Sequence, residues 1–216
     1  MNKIFLAIFL IFSFDITFAQ NIIDQDGLKQ GFWKENYQNG EIRYQGSFKD
    51  NIEQGLFKFF YNTGELKATK EFFNDSRACA THIFYRNGNI RASGLYVDKM
   101  KDSTWHYFNK DSILVLLEEY KMDKLNGKRK TFYQTGEIYI SNEWENGVEN
   151  GNFTQYFING QVNVIGTYEN GTLHCEYISY DSDGSILYKG IYISGIRKGV
   201  WHFFENGKII NTINYE

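Results

Sequence analysis

The chain has 216 residues, with 23 Lys or Arg, 26 Asp or Glu and a formal net charge of −3. This acidic balance excludes the basic footprint that nucleic-acid binding needs, and less strongly it disfavours anionic lipid surfaces. Aromatic residues make up 18% of the chain, with 20 Gly and no Pro, which fits short strands and tight turns better than helices or disorder.

The amino terminus predicts export. A lysine precedes an apolar run at residues 4–14, and Thr17-Phe18-Ala19 matches a small-residue cleavage site. The run is too short to cross ~30 Å of hydrocarbon as a helix. We therefore expect residues 1–19 to be a signal peptide, cut after Ala19, and the mature chain to be periplasmic, surface-bound or secreted. An uncleaved anchor is the alternative, because Asp15 is unusual so close to the cut.

From residue 31 onward the chain repeats every 24 residues, without an insertion through seven steps. Position 1 of the units is Gly31, Gly55, Cys79, Ser103, Gly127, Gly151, Cys175 and Gly199. Position 12 is always aliphatic and position 18 always aromatic, once a one-residue shortening in the last unit is allowed. A period of this length indicates a stacked array of eight units over residues 31–216, preceded by a partial unit or cap at residues 20–30.

Each unit is predicted to be a β-hairpin. Dipeptides such as Asn39-Gly40 and Asp183-Gly184 tolerate the positive φ that two-residue hairpin turns demand. A second turn rich in Asn, Asp and Gly returns the chain to the next unit. The sequence therefore predicts an all-β fold, an elongated single-sheet meander of about sixteen antiparallel strands.

Period-two alternation predicts which side chains share a face. It places Ile42, Tyr44, Gly46 and Phe48 together and Arg43 on the other face, with each position-18 aromatic stacked on its equivalent in the next unit. The first strand carries aromatics at positions 3 and 6. That odd spacing puts them on opposite faces unless a bulge intervenes, and both alternatives stay open.

The two cysteines, Cys79 and Cys175, occupy position 1 of units three and seven. Two strands per unit at ~4.8 Å separate them by roughly 38 Å. A disulfide requires Cα atoms within about 7 Å, so two free thiols are expected.

The hairpin pattern G-x-W-x-x-x-Y-x-N-G-x-I…G-x-F resembles the MORN repeat, in the bacterial variant found in YwqK-type antitoxin proteins. The resemblance covers residues 31–216. It implies an elongated meander without enzymatic chemistry, used as a protein-interaction surface or, in some members, for lipid contact. Units three to five depart from the pattern, with Cys79 and Ser103 in place of Gly and Arg129 in place of an aromatic. The predicted signal peptide also departs from an antitoxin that acts inside the cell.

Residue types that carry chemistry do not form a catalytic or metal-binding pattern. His82, His106 and His202 share position 4, and ~10 Å between adjacent units is too far for a shared zinc ion. Asp181–Gly184 begins like a calcium loop, but Gly190 stands where the loop needs a glutamate. The order of residues typical of a nucleophilic triad, a phosphate loop or a zinc protease does not occur. We predict no enzyme, no cofactor and no metal.

Two features are candidates for partner binding. The first is the run at residues 113–117, in which Ile113, Val115 and Leu117 stand where other units mostly place polar residues. Such a strand is either covered on both faces or forms an exposed patch that marks an interface.

The second candidate is a basic stripe of Arg43, Lys67 and Arg91, which recur at position 13 of units one to three. One interpretation is that these charges keep an open sheet soluble. The other is that they face an acidic partner or lipid headgroups.

The function these observations favour is an exported, non-enzymatic repeat scaffold that binds a protein, as an antitoxin or immunity component whose partner is a toxin. Cell-wall or carbohydrate binding through surface aromatics is the first alternative. Binding to a membrane surface is the second, suggested by the resemblance and opposed by the acidic balance.

Overall fold

The computed structural model describes residues 20–73 and 75–216. Within them the chain forms 17 strands in one open sheet, and each strand pairs antiparallel with the next along the chain. This confirms the predicted all-β meander of hairpin repeats. The strands are β1 (Ile22–Ile23), β2 (Lys29–Asn36), β3 (Ile42–Lys49), β4 (Ile52–Phe60), β5 (Leu66–Phe73), β6 (Ala78–Phe84), β7 (Ile90–Val97), β8 (Met100–Phe108), β9 (Leu114–Lys121), β10 (Lys124–Phe132), β11 (Ile138–Glu145), β12 (Val148–Tyr156), β13 (Val162–Glu169), β14 (Thr172–Tyr180), β15 (Ile186–Ile193), β16 (Ile196–Glu205) and β17 (Lys208–Tyr215).

Each unit contributes two of these strands, from β2 and β3 in unit one to β16 and β17 in unit eight. The short β1 precedes the first unit and pairs with β2 through Ile22–Gln30 and Ile23–Lys29. The predicted signal peptide, residues 1–19, lies outside the described residues.

The two kinds of turn are distributed differently from the sequence prediction. The loop inside unit one spans residues 37–41, and of its Asn39-Gly40 pair only Gly40 has a positive φ, of 90°. The two-residue turns with two positive φ angles lie between units, as at Asp50 (52°) and Asn51 (65°). The prediction of two-residue turns at the Asn-Gly pairs is therefore wrong for that loop, because Tyr37 accepts a hydrogen bond from the Gly40 amide across a wider turn.

Unit eight differs, and the difference explains its shortening by one residue. Its β16–β17 connection is a two-residue turn at Asn206 (φ 51°) and Gly207 (φ 71°), with Glu205 paired to Lys208. Phe204 still pairs with Ile209, as position 6 pairs with position 12 in the other units. The lost residue is therefore absorbed entirely in the turn.

A β-bulge inside each hairpin changes the predicted faces. In unit one Glu35 pairs with Tyr44 whereas Asn36 pairs with Ile42, so Arg43 is an extra residue opposite Glu35. Neighbouring residues of a strand point to opposite faces, so Ile42 and Tyr44 cannot share one. An Arg43–Glu35 ion pair of 2.7 Å places Arg43 on the Tyr44 side. The predicted grouping of Ile42 with Tyr44, and of Arg43 on the other face, is wrong for this reason.

A second bulge lies between units, at position 1. Gly46 stands opposite the stretch Gly55–Phe57, because Ser47 pairs with Gln54 and Gln45 with Lys58. The equivalent shift occurs at the other junctions between units except β5–β6, whose register is continuous. There the connection from β5 to β6 is longer by two residues, so the period of 24 residues is kept.

Because the bulge at position 1 is missing in unit three, the two cysteines differ in their surroundings. Cys175 has a φ of 67° and is exposed, as expected for a residue in the bulge. Cys79 lies in regular strand and is buried. Both are free thiols, as predicted, but the same repeat position gives them different surroundings.

The aromatics at positions 3 and 6 lie on opposite faces. In β4 the residues from Gly55 to Phe59 pair without interruption with β5, so Phe57 and Phe60 alternate. We call the face that carries positions 3, 5, 14, 16 and 18 the ring face, and the face that carries positions 2, 4, 15 and 17 the opposite face.

The core lies on the ring face, where a position-3 ring covers the position-16 glycine of the preceding unit. Trp201 is 0% exposed and Trp105 1%. A Cβ built on Gly190 would lie 2.2 Å from the Trp201 ring, and one on Gly94 equally close to Trp105. Each indole also donates a hydrogen bond to the preceding unit, Trp201 to the Ile191 carbonyl at 3.2 Å. At these two junctions the close approach of the ring requires a glycine.

The position-18 aromatics do not stack on one another as predicted. The position-3 ring of the next unit stands between them, so Phe57 contacts Phe48 at 5.1 Å and Phe72 at 5.3 Å, both edge to face. In unit eight Trp201 lies in the same way between Tyr192 and Tyr215. The result is a ring ladder, in which edge-to-face pairs contribute ~0.5–1.5 kcal/mol each beyond burial.

Gly190→Ala should destabilise the fold by about 1–3 kcal/mol, the usual cost of overpacking, because its Cβ would collide with Trp201. Gly166→Ala is the matched control, since its Cβ would lie at a tighter than ordinary but tolerable 3.2 Å from Tyr177. Urea midpoints and Trp201 fluorescence measure both effects. Equal midpoints for the two variants would show that ring-over-glycine packing does not hold the units together.

Candidate binding surfaces

A cation lies over the tryptophan in each of the three units that carry Trp at position 3. The ammonium of Lys29 is 4.6 Å from the Trp33 ring centre, that of Lys101 is 4.9 Å from Trp105, and the Arg197 guanidinium is 4.4 Å from Trp201. Each cation stands four residues before its tryptophan, a spacing the sequence analysis missed although it is visible there. Such contacts are worth ~0.5–2 kcal/mol, depending on solvent exposure.

Lys101 contacts two further aromatic side chains besides Trp105. Its ammonium is also 4.8 Å from the Tyr120 ring and donates a 2.8 Å hydrogen bond to the Tyr107 hydroxyl. Burial raises the pKa of Tyr107 and outweighs the lowering by Lys101. Burial and a hydrogen bond to Glu118 raise the pKa of Tyr120 to about 12. Both phenols therefore stay neutral at physiological pH.

The ring ladder is interrupted in units three and five, where Thr81 and Arg129 replace the position-3 ring. In unit five a pair of charged side chains takes the place of the missing ring. The Arg129 Nε lies 3.2 Å from Glu118, which also accepts a 2.7 Å hydrogen bond from the Tyr120 hydroxyl. Glu118 stands at position 16, so a paired carboxylate replaces the glycine where no ring covers it.

Exposed aliphatic side chains gather at the last three strands; Ile213, which pairs with Trp201, lies on the ring face, whereas the four residues described next lie on the opposite face. Of 17 exposed large hydrophobic residues in the described chain, eight lie on β15–β17. Four of them form a contiguous group across β15 and β16, since Ile193 pairs with Ile196 and Ile191 with Lys198, two residues before Val200. We call Ile191, Ile193, Ile196 and Val200 the apolar patch. The apolar patch could not be predicted from the sequence, because its members come together only through strand pairing.

The predicted binding run at residues 113–117 does not form one surface. Leu117 pairs with His106, whereas Val115 is the bulge residue beside Leu116, opposite Tyr107. Val115 and Leu117 therefore face opposite sides of the sheet. Ile113, Val115 and Leu117 are each only half-buried. A binding role for them stays a prediction.

The predicted basic stripe occupies the hairpin bulge. Arg43, Lys67 and Arg91 are exposed there. Arg43 forms an ion pair with Glu35, and the Lys67 ammonium lies 5.9 Å from the centre of the Tyr61 ring. Because bulge residues flank the ring face, the stripe borders the ring ladder instead of lying on the opposite face. Its recognition of an anionic partner stays a prediction.

Residues 20–73 and 75–216 hold no group of three or more His, Cys, Asp or Glu side chains arranged to bind a metal ion. In that same part of the chain no helix is long and apolar enough to cross a membrane.

The fold and its period define an open hairpin-repeat protein. The family model for the MORN repeat variant matches residues 29–50 and 53–74, which are two adjacent repeats formed by β2–β3 and β4–β5. Two units of this chain are therefore MORN repeat variants. No curated protein matches the chain.

Solved structures offer distant likenesses. The crystal structure of TarM is 14% identical over 44% of this chain and 20% of its own, with a TM-score of 0.32. The GtfA/B complex bound to UDP and GlcNAc is 13% identical over 65% of this chain and 27% of its own, at 0.22. TcdB2-TccC3-Cdc42 is 8% identical over 83% and 12%, also at 0.22. The chain spans a small part of each, and such TM-scores support no conclusion about its activity.

Alkaline pH should destabilise the fold, and ionisation of the Tyr177 hydroxyl should account for part of that loss. Burial, and then the neighbouring Tyr188 and Tyr192, raise the pKa of Tyr177 to about 12. An unfolded tyrosine ionises near pH ~10, so this group's contribution is complete below that pH and is lost as pH rises towards 12. Urea midpoints measured from about pH 9 to about pH 12 should fall less steeply for Tyr177→Phe than for the native chain. Parallel curves would contradict the assignment.

Proposed function

We propose that the protein is an exported, non-enzymatic repeat scaffold that binds a protein partner through the apolar patch. The observation that supports this most directly is the exposure of its four aliphatic side chains, 49–61%, on one face of adjacent strands. Grouped apolar residues on a soluble surface mark interaction sites, whereas single ones are ordinary.

The repeat itself provides the comparison that separates folding from binding. The four positions of the apolar patch correspond, 72 residues earlier on β9 and β10, to Glu119, Lys121, Lys124 and Lys128. The strand pairing is the same, since Lys121 pairs with Lys124 as Ile193 pairs with Ile196. The sheet thus accepts charge at all four positions, so folding does not require the aliphatic side chains.

The finer proposal is that the partner is a toxin and the protein its antitoxin or immunity component. This rests on the resemblance to YwqK-type repeats, whereas the export predicted from residues 1–19 sets the chain apart from an antitoxin that acts inside the cell. A toxin gene adjacent to the gene for this chain would support it.

Carbohydrate or cell-wall binding is the competing proposal, since aromatic platforms stack on sugars. The position-3 rings are poorly suited to this, because Phe57, Trp105 and Trp201 are almost fully covered by neighbouring residues. Membrane-surface binding is disfavoured by the net charge of −3.

Ile196→Lys combined with Val200→Lys should reduce partner binding about tenfold or more, because it places charge in an apolar interface. Stability should change by no more than about 0.5 kcal/mol, as is usual for surface substitutions. The measurement is capture of a stoichiometric protein from an envelope extract by the immobilised chain, with a urea midpoint for each variant.

Ile52→Lys combined with Leu56→Lys is the matched control, since these residues hold the same repeat positions at the junction of units one and two and are also exposed. It should capture the partner as the native chain does. Equal capture by all three proteins would overturn the assignment to the apolar patch. Retention on purified wall polysaccharide, without a protein partner, would favour the carbohydrate proposal.

A further inference from the structure

Unit three leaves a vacancy in the ring ladder. Phe72 and Tyr96 are the position-18 rings on either side, and Cys79 pairs directly with both. In unit two the Phe57 ring stands between the corresponding pair, Phe48 and Phe72. In unit three the position-3 residue is Thr81, a small side chain buried beside Cys79 at a Sγ–Oγ1 distance of 3.3 Å. The two flanking rings are therefore present without a ring between them.

A pocket of about 310 Å³ opens at this vacancy. Phe72, Tyr96 and Cys79 line it, and Cys79 lies between the two aromatic residues in the strand pairing. The rest of its lining is polar or charged: Glu53, Lys70, Ser76, Arg77 and Lys99. In unit five the Arg129–Glu118 ion pair stands where the position-3 ring is missing.

The charges around the pocket favour an anion. Arg77 is neutralised by Asp98, with two contacts of 2.9 and 3.0 Å. The remaining lining carries Lys70 and Lys99 against Glu53, an excess of one positive charge. Lys70 forms no ion pair with any residue that the structure describes, and its ammonium lies 5.0 Å from the Tyr96 ring. It holds position 16, where a covered unit would have glycine.

We propose that this pocket receives an aromatic side chain of a protein partner, with an acidic residue next to it in the partner's sequence. The ring would stand between Phe72 and Tyr96 as Phe57 stands between its neighbours, and the carboxylate would meet Lys70 and Lys99. We take the source to be a protein, because the pocket is open along one face of a single sheet, whereas ligand sites normally bury most of a small molecule's surface. The proposal rests on the proposed function of protein binding, but uses a different face and unit from the apolar patch.

Calorimetry with the full chain and the peptide acetyl-Glu-Phe-Glu-amide tests the pocket. Replacing the peptide's phenylalanine by alanine should weaken binding about tenfold or more, since a buried ring is lost. Replacing both glutamates by glutamine should weaken binding and remove its salt dependence. Phenylacetate should bind more weakly than the peptide. Equal binding of the three peptides, or a tighter affinity for phenylacetate, would overturn the proposal.

Cys79→Phe should fill the vacancy and abolish peptide binding. If that variant does not fold, Lys70→Gln combined with Lys99→Gln is the second test. It should lower the affinity for the peptide about tenfold. Lys58→Gln combined with Lys124→Gln removes the same charge away from the pocket lining and should bind the peptide normally. Loss of peptide binding in that control would refute the pocket. So would a native chain that fails to bind the peptide but still captures the protein partner, and the proposed function would then remain intact.

Discussion

The packing of a ring against a glycine of the preceding unit is the interaction on which this sheet depends. No second layer of structure packs on this sheet in the part of the chain that the structure describes. Its core therefore has to form among side chains on one of its own faces, which are ordinarily exposed to solvent. Trp201 is nevertheless fully buried, because Gly190 lets it lie flat on the backbone while Tyr192 and Tyr215 meet it edge to face. Since the ring and the glycine belong to different units, the contact that forms the core also couples neighbours, as expected of a linear repeat array.

The two columns of this contact change together along the chain. Glycine at position 16 precedes a ring in four junctions, whereas Lys70 precedes Thr81 and Glu118 precedes Arg129. Asn142 before Phe153 is the exception. Asn142 is buried and donates a 2.5 Å hydrogen bond to Glu149, but its Oδ1 has no hydrogen-bond partner in the described chain. A buried polar atom without a partner is costly, so the junction before unit six is held less well than those with glycine.

The period of 24 residues was sufficient to predict the hairpins, about sixteen strands and two free thiols, but not the additional short strand β1. It could not reveal the bulges, because a residue inserted at the same place in every unit leaves the period unchanged. Alternation therefore misplaced Ile42 and Arg43. Unit three hides its irregularity in the same way, since the two residues missing from its bulge are recovered in the connection before Ala78.

The binding surfaces were harder to predict, because sequence proximity and surface proximity differ in a sheet. The run at residues 113–117 is conspicuous in sequence, yet its side chains divide between two faces and stay half-buried. The members of the apolar patch are dispersed over ten residues and meet only through the β15–β16 register.

The repeat separates what folding demands from what it leaves free. Positions 3, 16 and 18 are constrained by contacts between units, and in units three and five the loss of the position-3 ring is accompanied by the loss of the position-16 glycine before it. Positions on the opposite face carry aliphatic side chains on β15–β16 and charged ones on β9–β10 within the same strand pairing. Because the same strand pairing accepts either kind of side chain, the stability of the fold does not explain why the aliphatic residues cluster on β15–β16. The exposed group of four aliphatic side chains, on a surface that could equally carry lysine, is the observation on which the proposed partner contact rests.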